Sequence, residues 1–471
     1  MTRLSCRPCI LLLLAGCPAP VAGLDDSGSS STSDGTTGTS TTGGEVPTTG
    51  DGGSTDTGAT GEIVSSSEGS TAAPEPVCGD GVVAGEELCD DGVDAPDDGC
   101  DAKCQPRAVV LWTQSWDSGA KKDDNIDGLA VDAAGNIFVA GSTTDAAYQA
   151  DALVRKLGPD GAELLRIDYV GPAGFDDIAR SIAVDAEGNI YAAGLEQVTE
   201  SAFQGWVRKY DPAGKQLWVH ERVSEVADGA AIANTVVLGG DAVYSVGSED
   251  VGDKDTAQFF LQRLATADGK PVWTTIVGDA VALYKIGLAV DPNGELLVAG
   301  GIFDAMGDRQ PWVGKYSAAG EQLWSRSDYL IGGGFAMAAA TGPGGELAVA
   351  GVGFQFNDLN IWLASLDDTG AVVWEDFING DGYDIGYSLA FGAGGELYIG
   401  GFVNIKGHMS DTVLRRYTPA GLPYWTAYHN DEVDLYDVIT AVVVTPTMVV
   451  GAGSEFVLGH GSNQWIRAYA P

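Results

Sequence analysis

The chain is 471 residues long, and its 66 acidic against 25 basic side chains give a formal net charge of −41. That balance excludes a nucleic acid or an anionic membrane surface held by basic patches. Gly at 67 residues within a 44% apolar composition predicts many turns and short strands, and a mean hydropathy of +0.03 excludes a polytopic membrane protein.

Residues 1–17 read as an export signal. Arg3 and Arg7 make a basic start and Ile10 to Leu14 a short apolar run, too short at about 1.5 Å per residue to span a bilayer. The run ends Leu14-Ala15-Gly16-Cys17, which resembles a bacterial lipobox. The resemblance implies that Cys17 is lipidated and becomes the first residue of the mature protein, in the outer membrane or at the cell surface. The other reading is an ordinary signal peptide cut after Ala22 or Gly23.

Residues 18–77 are mostly Ser, Thr, Gly and Asp, with almost no large apolar side chain to offset the entropy of ordering. They read as a disordered tether. No Lys or Arg occurs from Pro8 to Ala102, so like charges extend the coil, whose reach is roughly 40 to 50 Å.

Residues 78–104 form a small module around Cys78, Cys89, Cys100 and Cys104. In an exported chain, disulfides are the expected staples for so short a segment, with three pairings open. Zinc is the alternative, but paired C-x2-C knuckles are missing. The run Cys78-Gly79-Asp80-Gly81, Gly85-Glu86-Glu87-Leu88-Cys89-Asp90-Asp91-Gly92 and Asp98-Gly99-Cys100 to Cys104 resembles a Cys-rich repeat common in myxobacterial surface proteins. Carboxylates crowd the module, so Asp90, Asp91, Asp97 and Asp98 are candidate calcium ligands, against a plain solvated acidic surface.

From residue 107 to 471 the chain is a repeat. Asn136-Ile137-Phe138-Val139-Ala140-Gly141 is the first of seven units, whose glycines stand at 141, 194, 247, 300, 351, 400 and 451. Each unit carries four strand signals and two tight turns, such as Asp185-Ala186-Glu187-Gly188-Asn189 and Asp211-Pro212-Ala213-Gly214. Four antiparallel strands at a period near 50 predict a seven-bladed β-propeller. The units resemble SBBP-type and quinoprotein-like β-propeller repeats. The last unit stops after a third strand, and residues 108–112 are an orphan strand, so the orphan is expected to complete the last blade.

Trp112, Trp218, Trp273, Trp324, Trp374 and Trp425 share the fourth-strand position, and Trp206, Trp312, Trp362 and Trp465 the third. Recurrence at one place in blade after blade predicts packing rather than a sugar platform. The series Lys156, Lys209, Arg263, Lys315 and Arg416 is expected to pair with neighbouring carboxylates.

Function is far less legible than fold. His220, His408, His429 and His460 have no zinc spacing, no G-x-S-x-G elbow occurs, and the propeller contains no cysteine. The reading is a lipid-anchored, monomeric binding or adhesive scaffold for a protein or polysaccharide, touching membrane only through its lipid. An envelope-assembly lipoprotein, or a hydrolase or lyase using carboxylates at the channel mouth, are the alternatives. Length variation falls in the second-to-third-strand loops, which with the inter-blade segments share one end. There Asp124, Asp177 and Asp384 are candidate channel-mouth groups for a cation or basic ligand, or else caps of turns.

Overall fold

The computed structural model describes residues 89–90, 100 and 104–471, apart from 281–284, 305, 331–332, 356–357, 407–408 and 431–435. The strands form seven separate four-stranded antiparallel sheets, the seven-bladed propeller expected from the repeat. Blades 1 to 6 span 125–169, 177–223, 231–280, 287–326, 334–378 and 385–429, each an up-and-down meander in chain order. First strands of neighbouring blades contact one another all the way round, which places them on the central channel.

Blade 7 takes Asp437–Val444, Val449–Val457 and Gly461–Tyr469 from the C-terminal end and Val110–Trp116 as its outer strand. Closure therefore occurs as expected, but with a longer and slightly later strand than 108–112. Trp112 lies opposite Ala468 and Trp116 opposite Gln464, while Ala470 N–H donates to Val109 O at 2.8 Å. Two edges that would otherwise be open are paired.

The core is not one mass but seven seams. Each adjacent pair of blades shares a buried apolar cluster, and blades 5 and 6 share two; Phe138, Ala140 and Val154 of blade 1, for example, pack with Ile182, Ala192 and Trp206 of blade 2. The second strands are covered on both sheet faces, and Ile190–Gln197 is buried along its whole length. That double burial is why the repeat motif reads as an unbroken run of small and apolar residues.

Tryptophans hold the seams, as their recurrence implied. Trp112, Trp218, Trp273 and Trp324 each donate their indole N–H to a carbonyl in the third-to-fourth-strand turn of the next blade, at 2.8 to 3.2 Å. A glycine completes each contact. Gly269 has φ +71°, and a Cβ there would lie 2.5 Å from Trp218 Cε3, so only glycine satisfies both the backbone and the ring. Trp206, Trp362 and Trp465 on third strands are fully buried.

In blade 3, residues 248–258, expected as a loop, continue the hairpin. Ala242–Val251 and Asp253–Ala265 meet at Gly252, whose φ of +68° permits a very short reversal. The first strands of six blades each carry a bulge, at Asp127, Arg180, Asn234, Met337, Tyr387 and Thr440. Blade 4 has none, and Lys285 precedes its strand Gly287–Val290. Hydroxyls stitch these strands together: Thr235 donates to Ile286 O at 2.5 Å, Thr341 to Val290 O at 2.7 Å, and Ser388 accepts Val442 N–H at 2.9 Å.

Candidate functional site

The two ends of the propeller differ chemically. At one end are the first-to-second and third-to-fourth turns, closed by aspartates that accept backbone amides. Asp185 takes Asn189 N–H at 2.7 Å, and Asp211 takes Ala213 and Lys215 N–H at 3.0 and 2.9 Å. The recurrent cations lie at this end, with carboxylates as their main partners. Lys315 binds Glu295 at 2.7 Å, Asp291 at 3.4 Å and Asp368 at 3.5 Å; Lys156 pairs with Asp132, Arg263 with Asp241 and Arg416 with Glu396. Lys209 departs from the pattern and donates to Thr266 O at 3.1 Å.

The other end carries the longer loops, and here every exposed aromatic and methionine side chain among the described residues is found. Tyr148 projects from blade 1, Phe303 and Met306 from blade 4, Phe354 from blade 5, and Tyr383, Met409 and Tyr428 beside or on blade 6. Met306 is 84% and Tyr148 71% exposed. Tyr148 also has φ +67°, a left-handed backbone that costs a bulky residue about 1 kcal/mol or more. Asp145 imposes it by accepting Ala147 N–H at 2.7 Å and Gln149 N–H at 3.1 Å, and the Lys122 ammonium sits 3.4 Å from the ring centroid.

Asp124, Asp177 and Asp384 lie at this loop end, at the start of their first strands, but the structure does not bring them together. Each is fully buried. Asp124 accepts Ser118 N–H at 2.5 Å and Thr144 N–H at 2.9 Å; Asp384 accepts Gly380 N–H at 2.5 Å and Asn404 N–H at 2.8 Å; Asp177 accepts Gly171 N–H. Their carboxylates thus pin inter-blade segments and, in blades 1 and 6, the neighbouring loop as well. Asp437 holds the same place in blade 7 and accepts Phe456 N–H at 3.1 Å; the sequence pattern missed it because Val443 stands where those three units have alanine. Burial raises the pKa of all three, Asp177 to about 7 with Glu196 adding to the rise, and Asp384 to about 6.

Beneath Asp177, Glu196 accepts the Tyr169 hydroxyl at 2.8 Å and the Arg208 guanidinium at 3.1 Å. His220, His429 and His460 sit on three separate blades. A groove of about 450 Å³ opens at the tight-turn end between Leu238, Gly239, Val290, Pro292, Thr341 and Pro343. Its one carboxylate, Asp291, is already bound to Lys315 and to turn amides.

In the Cys-rich segment, Cys89 is bonded to Cys100, and Cys104 is also disulfide-bonded. Cys17, Cys78 and, of the candidate calcium ligands, Asp91, Asp97 and Asp98 lie outside the described residues; among those described, no group of His, Cys, Asp and Glu is arranged to hold a metal ion.

Residues 68–105 match the family model described as "Domain of unknown function (DUF4215)". No curated protein matches the chain. Among solved structures it is similar to a puromycin hydrolase, at 15% identity and a TM-score of 0.46, with 72% of this chain and 52% of that one covered. The chain thus spans about half the length of that hydrolase. It is also similar to Sqt1 from Chaetomium thermophilum (15% identity, TM-score 0.43, 72% and 83% covered) and to the Neurospora crassa Pan2 WD40 domain (10%, 0.37, 62% and 89%). At these identities the likeness concerns fold alone.

Proposed function

We propose that this protein is a tethered binding scaffold whose loop end takes a protein or polysaccharide partner. The observation that carries this reading is the confinement of exposed aromatic and methionine side chains to the loop end. Such side chains supply the contact area of binding surfaces, and varied loops on a rigid frame are where specificity usually resides. In this reading the buried aspartates act indirectly, by fixing the loops.

Display outside the cell, anchored by lipid on Cys17, belongs to the same proposal. The closing strand begins at the tight-turn end, where Val110 faces Tyr469, so the chain enters the propeller at the end opposite the loops. Whole-cell protease treatment tests the address: the propeller is expected to be shaved from intact cells, and Cys17→Ser to abolish detergent partitioning. A protected propeller would instead favour envelope assembly. Screening the full chain against glycans and surface proteins tests the binding face. Phe303→Ser with Phe354→Ser should weaken any partner found by at least about tenfold, the loss of two apolar anchors, whereas Asp211→Asn should leave it bound. The reverse result would overturn the assignment of the face.

A further inference from the structure

We propose that the central channel binds a small oxyanion, the carboxylate of an organic acid or an inorganic oxoanion, between Arg180 and Lys285. The bulges supply the means. A bulge adds a residue that pairs with nothing across the ladder and re-aims its side chain, and here the bulged positions carry Asp127 in blade 1, Arg180 in blade 2 and Asn234 in blade 3. Lys285 comes from blade 4 and reaches across the channel, its Nζ donating to Thr440 O at 2.8 Å and Asp127 O at 3.4 Å.

The charges do not satisfy one another. Arg180 has five N–H donors, yet it makes one long hydrogen bond, to Asn234 Oδ1 at 3.5 Å, and its Nε is buried with no partner among the described residues. Asn234 is itself buried, 3% exposed. Asp127 acts on both cations electrostatically but pairs directly with neither. Two cations against one carboxylate leave one positive charge in the heart of a chain whose net charge is −41.

Arg180 is half-buried, with its Nε sealed from solvent and unpartnered; such an orphaned donor is costly, and a carboxylate or oxoanion can meet a guanidinium with two parallel hydrogen bonds. Burial pushes both cations toward their neutral forms, Lys285 to about 8, with Asp127 opposing the shift. An anion between them opposes that shift and favours the charged forms. Met337 and Tyr387 occupy the bulges of blades 5 and 6 and pack into the cluster of Phe335, Val352 and Ile385, so the charged bulges are those of blades 1 and 2.

Titration calorimetry on the purified full chain tests this, with acetate, succinate, inorganic phosphate and sulfate as probes and chloride at matched ionic strength as the control. One saturable site is expected for at least one oxyanion, and the order among the probes separates organic from inorganic ligands. Arg180→Gln should weaken binding at least about tenfold, the loss of a charge-assisted contact. Asp127→Asn, nearly isosteric, should tighten binding several-fold by removing the competing negative charge. If Asp127 is instead the private counterion of Arg180 and Lys285, Asp127→Asn will leave binding absent and lower the melting temperature. Should Arg180→Gln fail to fold, the sign of the Asp127→Asn effect alone decides. No saturable site, or binding unchanged in a folded Arg180→Gln protein, overturns the proposal.

Discussion

The two ends of the propeller are built from the same strands and do opposite things with their polar groups. At the tight-turn end, carboxylates, amides and cations are spent on one another: Lys315 alone gathers three acidic residues, and each turn aspartate takes the amides that follow it. At the loop end, the carboxylates sink beneath the surface and aromatic groups come out, one of them on a strained backbone. Stability is thus concentrated where the chain is repetitive, and interaction chemistry where it varies.

The sharpest way to break that contrast is to open the ring. Deleting Val110–Trp116 removes a strand that both ends depend on, so aggregation or a fall of many degrees in the melting temperature is expected; an unchanged melting curve would mean that the closure is dispensable. Next in size is Lys315→Met, which strands buried Asp291 beside two further carboxylates. About 2 to 4 kcal/mol of stability should be lost in urea unfolding, with loop-end binding untouched in the protein that remains folded. Gly269→Ala adds a Cβ against Trp218 on a left-handed backbone and should cost about 1 to 3 kcal/mol.

At the loop end the effects are smaller and depend on pH. Because the Asp177 pKa is raised in the folded protein, to about 7 from an ordinary value near 4, the native state holds this proton more tightly than the unfolded chain. Its contribution is complete below about pH 4 and is lost as pH rises through about 7. Asp177→Asn should therefore flatten the stability profile between those limits, by on the order of 2 kcal/mol; an unaltered profile would show that Asp177 ionises normally. Smallest is Tyr148→Asn, which tolerates φ +67° better. Stability should rise by about 0.5 kcal/mol while partner binding falls.

The fold could be read from the chain because seven seams impose the same demand seven times. Ile137 to Gly141 and Ile190 to Gly194 must fill identical spaces, so they look alike, and Trp218 and Trp273 repeat because each docks on a neighbouring turn. The channel had no such signature. Asp127, Arg180, Asn234, Met337, Tyr387 and Thr440 share a structural position but no chemistry, since each bulge meets different neighbours, a charged pair in blades 1 and 2 and an apolar cluster in blades 5 and 6. Blade 4 drops the bulge altogether, which put Lys285 out of register with the rest. Asp124, Asp177 and Asp384 were legible as a series, but whether they face solvent or backbone depends on how the non-repeating inter-blade segments and loops fold over them.

Closure by the first strand also has a mechanical side. The chain enters the propeller at Val110, at the tight-turn end, so a pull on the N-terminal segment against a partner held at the opposite end would run along Val110–Trp116. Its hydrogen bonds to Gly461–Tyr469 lie across that line and carry the load together instead of one after another. A strand pulled in shear resists far more than one peeled from its tip. The joint that such a pull would load is the one that locks the ring.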